Sequence, residues 1–421
     1  MNPPPTADAA TASASAPAAP SVGGSAIDVG AERARTAGST LTSHFNAAGA
    51  ALPTHAVVAA VVDHLRLEEQ KGGYEAAAER RADLDAVYAS AADLVGAATA
   101  EIALFDSAST GLRILLDALR PSTGQRIIAS SSTYVSHALH LMSLARERGI
   151  DLVIAPYDEH RRVDVPALEA LLSDGVPSIV TVAHVPTSSG LVEPAAQIGA
   201  VVQRYGGTYI LDATQSVGHL AVDVREIGCD VLVTTGRKFL RAPRGTGFAY
   251  VRDTLLERLL PIAPDVRGAH WTSSAHWELV PSARRYETWE GPLAARLGLG
   301  VALDEAAARG IPETEEWLVE TGARLRTALT EIDGVTVADP TGSASALVTF
   351  VIDGVAAADA VVQLARRGVR VVSVPATHGQ WDLGDRGVPA VVRASAHVYN
   401  DDSDIAALVD GVAAIATGIL R

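Results

Sequence analysis

From about residue 100 to residue 255 short β-rich runs alternate with amphipathic helical runs, and this rhythm narrows the fold more than any other feature of the chain. A strand that returns parallel to its neighbour needs a long crossover, usually a helix, so the alternation reads as a parallel sheet covered by helices. The strand candidates are Ile127–Ser130, Leu152–Ala155, Ser178–His184, Thr208–Asp212, Val231–Thr235 and Gly247–Val251. Between them Val135–Arg148, Val165–Ser173 and Glu193–Tyr205 carry apolar residues at helical spacing. Polar residues gather where strands end, at His184, Asp212 and Thr235. Ligands of open parallel sheets bind beyond the carboxyl ends of the strands, so a site is expected at these tips.

After Trp289 the rhythm changes. A long apolar helical stretch, Pro292–Arg309, leads to strands at Leu347–Ile352, Val369–Val374 and Val391–Val398 and helices at Ala357–Arg367 and Ser403–Leu420, a smaller α+β region. At 421 residues the chain exceeds what one core usually organises. We expect a tail over 1–40, an N-terminal segment and large domain over 41–295, and a small C-terminal domain over 296–421. The first forty residues are rich in Ala, Pro, Ser and Gly and hold no Lys or Arg before Arg33, a composition that reads as disorder. They also lack the basic start and continuous apolar run of a secretory signal. No later segment reads as an uninterrupted membrane span, so a soluble cytoplasmic protein is expected.

The formal net charge of −15 repels phosphate backbones and anionic lipid headgroups, which argues against nucleic-acid and membrane partners and for small-molecule chemistry. The single cysteine, Cys229, excludes an internal disulfide framework and a cysteine-built zinc cluster, and no metal is expected. Of the 34 basic residues only Lys71 and Lys238 are lysines, so covalent chemistry at an amine has two candidates.

One of them lies in YILDATQSVGHLAVDVREIGCDVLVTTGRKFLRAPRGTGFAYV, residues 209–251. This segment resembles the class V aminotransferase family, which includes cysteine desulfurases, isopenicillin-N epimerases and related C–S lyases. The matching residues are Asp212, Ala213, Gln215, Ser216, Gly218, Cys229, Asp230, Thr235, Gly236, Lys238, Pro243, Gly245 and Gly247, with Ala242 where glycine is usual. The resemblance implies an α/β fold of the fold-type I class, a large, mostly parallel-sheet domain with a smaller α+β C-terminal domain. It also implies pyridoxal 5′-phosphate held as a Schiff base on Lys238. In that role Asp212 would keep the pyridine nitrogen protonated so that the ring accepts carbanion electrons, and Gln215 would donate to the phenolate oxygen. Arg237 beside Lys238 should lower the amine's pKa, and the released amine would move a proton at Cα.

The same resemblance assigns further positions. In FDSASTGLRILLDAL, Ala108 and Ser109 take the phosphate-loop place at a helix N-terminus, with Thr235 and Arg237 adding phosphate contacts. Tyr134 takes the aromatic position that stacks on the ring, and Thr187 in HVPTSSG lies near the cofactor oxygen or substrate amine, while His184 is structural. In VVRASAHVYNDDSDI, Arg393 takes the place of the arginine that clamps the substrate carboxylate, a task suited to guanidinium geometry. HFNAAGAALP offers Asn46 and Ala48 as substrate-side residues. RRYETWEG corresponds to a loop that reaches a partner subunit, so a homodimer with shared active sites is expected, in which Thr288 or Trp289 completes the other protomer's site.

Sequence reports poorly which bond breaks, because that depends on which bond stands perpendicular to the conjugated system. A desulfurase needs a mobile cysteine to take the sulfur, and the small-domain region Val374–Gly379 where the family keeps it has none. Cys229 reads as core. The Arg-Lys motif and the GGYEA run at Gly72–Ala76 resemble actinobacterial lyases of ergothioneine and thiosugar-antibiotic pathways. The expected reaction is C–S β-elimination from an S-conjugated cysteine, giving thiol, pyruvate and ammonia in secondary metabolism. Decarboxylating oxidative deamination of the same conjugate, which His137 and Asp106 would equally fit as pocket residues, remains an alternative. So do transamination and epimerisation; a non-catalytic scaffold is disfavoured by Lys238, Asp212, Gln215 and Arg393 occurring together.

Overall fold

A computed structural model of the chain describes residues 27–418. Its centre is a seven-stranded sheet whose order, written by first residues, is 102–247–231–208–178–126–151. All strands run parallel except Gly247–Val251, which is antiparallel to both its neighbours. The sheet is therefore mixed at one side rather than uniformly parallel. Strands Ser178–Ala183, Val231–Thr235 and Gly247–Val251 are buried along their whole length, as sandwiching between helix layers requires. Thr208–Asp212, Val231–Thr235 and Gly247–Val251 occupy the expected residues, whereas Ile102–Phe105 is a strand the sequence reading omits.

Helices Ala108–Ala118, Val135–Arg148 and Ala195–Arg204 cover the sheet with faces that include Leu112, Leu115, Leu141, Leu144, Ile198 and Val202. Ser107 caps the first of these, its hydroxyl accepting from Thr110 N–H at 3.2 Å. A second sheet of four strands, ordered 335–347–390–372, is antiparallel throughout and packs its own apolar core around Leu325, Leu347, Phe350, Val392 and Leu408.

Several expectations change. The run Val369–Val374 is not one strand: Val369–Arg370 pairs with Ser43–His44, and Val372–Pro375 pairs with Ala390–Ser395, because the chain changes partners at Val371. The boundary drawn between residues 295 and 296 falls inside helix Leu293–Arg309, whose Leu299, Ala302, Leu303 and Ala306 join the large sheet's core. The C-terminal helix spans Asp402–Ala416, and the part of the Ser403–Leu420 expectation beyond 418 lies outside the described residues.

The expected tail is ordered where it is described. Val29–Ala34 is helical and Ala37–Thr40 forms a 3₁₀ turn. Arg33 reaches Asp404 at 2.7 Å, and Glu32 meets Arg241 at 2.6 Å. These few charges find buried partners, which offsets the cost of ordering a chain of small residues. Residues 1–26, the rest of that expectation, lie outside the described residues.

One stretch, Ala47–Lys71, is apolar enough by length and composition to cross a membrane, which the sequence reading did not credit. The chain leaves the helical conformation at Ala51, and the last 17 residues form a helix restarted by Thr54. That helix packs against Leu293–Arg309.

Candidate active site

A cavity of about 230 Å³ opens where the strand tips of the large sheet face the small sheet. Asp212 and Thr235 are the last residues of adjacent strands, and the turn after Thr235 carries Lys238. Gly236 ties this turn: its N–H donates to Thr246 O and its carbonyl accepts from Ala242 N–H, both at 2.9 Å. A Cβ at Gly236 would run into Thr246 and Ala242. Arg241 N–H donates to Lys238 O at 2.9 Å, with Arg241 itself in the left-handed region at φ 64°. That conformation is costly for a residue with a side chain. The buried guanidinium holds it there, bound to Glu32, to Leu52 O at 2.8 Å and to Thr36.

Burial pushes the Lys238 amine down to about 7, helped by Arg237 and Arg393 and opposed by Asp212. Burial also raises the Asp212 carboxyl, which accepts from Thr214 N–H at 3.0 Å and is drawn back by Lys238. Arg393, on strand Ala390–Ser395 of the small sheet, is lowered to about 10, first by burial. Its Nη1 donates to Thr187 Oγ1 at 2.6 Å and to Thr187 O at 3.1 Å, while its Nε has no partner. Among the described residues Asp212 is the only carboxylate on the cavity wall, against Arg237, Lys238 and Arg393.

Of the residues singled out from sequence, Ala48, Ala108, Ser109, Tyr134, Thr187, Asp212, Gln215, Thr235, Arg237, Lys238 and Arg393 all line this cavity. Ala108 and Ser109 open the helix whose free N–H groups face it. Gln215 donates one amide hydrogen to Ala48 O at 3.2 Å, and the Thr235 hydroxyl donates to Thr246 O at 3.2 Å. Arg237 binds Gly49 O. His137 also lines the cavity, with Nε2 3.0 Å from Thr181 Oγ1.

Others stand elsewhere. Asn46 is not on the wall; it precedes the short helix Ala47–Ala50 and its Oδ1 is buried without a partner. Asp106 is exposed and off the wall, which removes it as a pocket residue. Thr288 and Trp289 are not on this cavity's wall either. His184 is buried and held to about 4 by desolvation, a core imidazole. Cys229 is buried off the wall with its thiol pushed up to about 12. Sequence reading missed Ser132, Thr214 and His378 on the wall. Ser132 leads inward to Glu193, whose buried carboxyl is raised to about 7, chiefly by burial, and accepts from Ser132 Oγ at 3.0 Å and Val163 N–H at 2.8 Å.

A cluster of cations at strand tips, one buried carboxylate, a helix N-terminus and a lysine with a depressed pKa define an enzyme that captures an anionic cofactor and substrate on an amine. The sequence model of the class V aminotransferases matches residues 43–408; the chain belongs to this family and is a pyridoxal-phosphate enzyme. A probable cysteine desulfurase of Methanothermobacter thermautotrophicus is 26% identical over 352 residues, 82% of this chain and 87% of the relative. A probable hercynylcysteine sulfoxide lyase of Mycobacterium tuberculosis is 29% identical over 377 residues, 88% of this chain and 89% of the relative. The solved cysteine desulfurase of Escherichia coli shares the fold, with TM-score 0.86 and 23% identity over 94% of this chain and 100% of that one. The unpartnered Arg393 Nε and Thr214 Oγ1 can donate to an anionic cofactor or substrate in this cavity, and Gln215 Oε1 can accept from an N–H or O–H of either.

Proposed function

We propose that the protein is a C–S β-lyase that cleaves an S-substituted cysteine to thiol, pyruvate and ammonia, and that it serves secondary metabolism. The observation that carries this reading is the state of the chain's one cysteine. A desulfurase passes sulfur to a reactive thiolate, and Cys229 is fully buried with a raised pKa, away from the cavity. A relative named for sulfoxide-lyase chemistry supports the same choice.

Bound pyridoxal phosphate supplies the electron sink for chemistry at Cα. The chain's residues would divide the rest. The helix N-terminus at Ala108–Ser109, with Arg237, would hold the phosphate, and Asp212 would keep the ring nitrogen protonated. Arg393 would turn its fork to the substrate carboxylate. Lys238, neutral above about pH 7, would take the Cα proton.

We also propose that the working unit is a homodimer. A groove of about 860 Å³ runs between Leu65, Tyr74, Leu84 and Trp289, and Tyr74 and Trp289 are exposed, a surface suited to a second copy. Thr288 and Trp289 would there border the partner's site.

The test is product analysis with S-alkylcysteines. Thiol with pyruvate supports the lyase; carbon dioxide with an aldehyde replaces it with the decarboxylating deaminase, and amino-group transfer to a keto acid replaces it with an aminotransferase.

A further inference from the structure

We propose that His378 is the acid that protonates the departing sulfur, a role that rests on the lyase reading above. Val372 pairs with Arg393 and Val374 with Val391, so the strand that carries His378 onward lies beside the expected carboxylate clamp. The chain leaves this strand at Pro375, and the 3₁₀ turn Ala376–His378 brings His378 onto the wall of the cavity that Lys238 also lines. A cysteine bound by its carboxylate to Arg393, with Cα at Lys238, would extend its Cβ–S arm towards the open side. There His378 stands with its ring centroid 6.4 Å from that of Tyr134.

The turn is built to hold a position although its histidine is exposed. Gly379 packs close to Ser188, and a π-helical turn, Gln380–Gly384, follows. Asp382 in that turn is buried; it accepts from Ser188 Oγ at 2.6 Å and pairs with Arg386 at 2.9 Å and Arg161 at 3.8 Å. Arg161 adopts φ 65° and lies over the Tyr157 ring at 4.1 Å. A π-turn, a left-handed arginine and a buried carboxylate meeting behind one cavity-facing residue are the marks of a position fixed at a local energetic cost. His184 is off the wall, and His137, although it lines the cavity, is buried with Nε2 3.0 Å from Thr181 Oγ1; desolvation lowers the pKa of both rings, to about 4 and about 3.

In the step proposed, the Cα proton goes to Lys238 Nζ, the Cβ–S bond breaks with its electron pair on sulfur, and the proton on the His378 ring goes to that sulfur. The products are a neutral thiol and an enamine, which water hydrolyses to pyruvate and ammonia. His378 regains its proton from solvent, and no oxidant is required.

The experiment compares S-ethyl-L-cysteine with β-chloro-L-alanine on the pyridoxal-phosphate-loaded enzyme. Chloride leaves without a proton, whereas ethanethiolate needs one. His378→Gln should lower kcat/KM for S-ethylcysteine about 100-fold and leave β-chloroalanine within about twofold. Equal loss on both substrates, no loss on either, or a leaving-group-dependent loss in Tyr134→Phe instead overturns the assignment while the lyase stands. No pyruvate from wild-type enzyme with either substrate defeats the lyase reading and the acid together. A readout without turnover uses Lys238→Ala protein. The His378 ring resonance, identified by its loss in His378→Gln, should shift on adding S-ethylcysteine and stay fixed with alanine; an unmoved resonance contradicts the placement.

Discussion

Arg393 on the small sheet donates through one nitrogen to both the hydroxyl and the carbonyl oxygen of Thr187, at the tip of the large sheet, at 2.6 and 3.1 Å. The two sheets thus meet across the cavity through one guanidinium, whose Nε is left without a partner. Arg393→Ala should raise KM for the amino acid about 10- to 100-fold, the worth of a charge-assisted hydrogen-bonded pair, with cofactor colour retained. Steady-state kinetics with a parallel absorbance spectrum checks this, and loss of the colour would move Arg393 from substrate to cofactor.

Lys238 sets a pH dependence whose sign follows from its lowered pKa. The amine is neutral and nucleophilic above about 7 and protonated below it. The rate at which cofactor-free protein takes up pyridoxal phosphate should rise through about pH 7 and then level off. Stopped-flow absorbance measures it, and a rise delayed to the ordinary lysine range would show that burial does not act as described.

Glu193 makes the opposite contribution. Its folded pKa is raised to about 7 from 4.5, so between these values the native state binds more protons than the unfolded chain and stability falls as pH rises. Above about pH 7 Glu193→Gln should be more stable than wild type by on the order of 1–3 kcal/mol, and the gap should close towards pH 4.5. Urea unfolding across this range is the measurement; a gap independent of pH would contradict it.

Glu32 and Arg241 are both buried and paired at 2.6 Å. Glu32→Ala leaves the guanidinium without its main counter-charge and should cost about 3 kcal/mol, read from chemical denaturation. Because Arg241 holds the turn behind Lys238, cofactor affinity should fall as well. A neutral outcome would mean that the N-terminal helix does not support the site.

For the proposed dimer, Trp289→Glu should shift the protein to monomer in sedimentation velocity and depress turnover. A wild-type monomer with full activity would remove the shared-site proposal.

Most strands of the large sheet were legible because they are buried on both faces and read as short apolar runs, as at Val231–Thr235; their order in the sheet was not. Ile102–Phe105 escaped notice: it is four residues long, abuts the next helix, and pairs with Gly247–Val251 far along the chain. The partner change at Val371 carries no local signal either, since both halves are equally apolar. At the site, motif order located every cavity-lining candidate from Ala48 to Arg393, yet Asn46 lies beside the wall because neighbouring residues point in different directions. His378 sits on an exposed turn without periodicity, and a reading of Val374–Gly379 that asks only about cysteine passes over it. The ordering of Glu32 and Arg33 depends on partners more than two hundred residues away, which composition cannot report.

The central claim is that one amine, that of Lys238, carries the cofactor. Borohydride reduction of the pyridoxal-phosphate-loaded protein followed by peptide mass mapping tests it most directly. A reduced pyridoxyl adduct should appear on Lys238 and be absent from Lys238→Ala protein. An adduct on Lys71, or unchanged labelling when Lys238 is replaced, would contradict it.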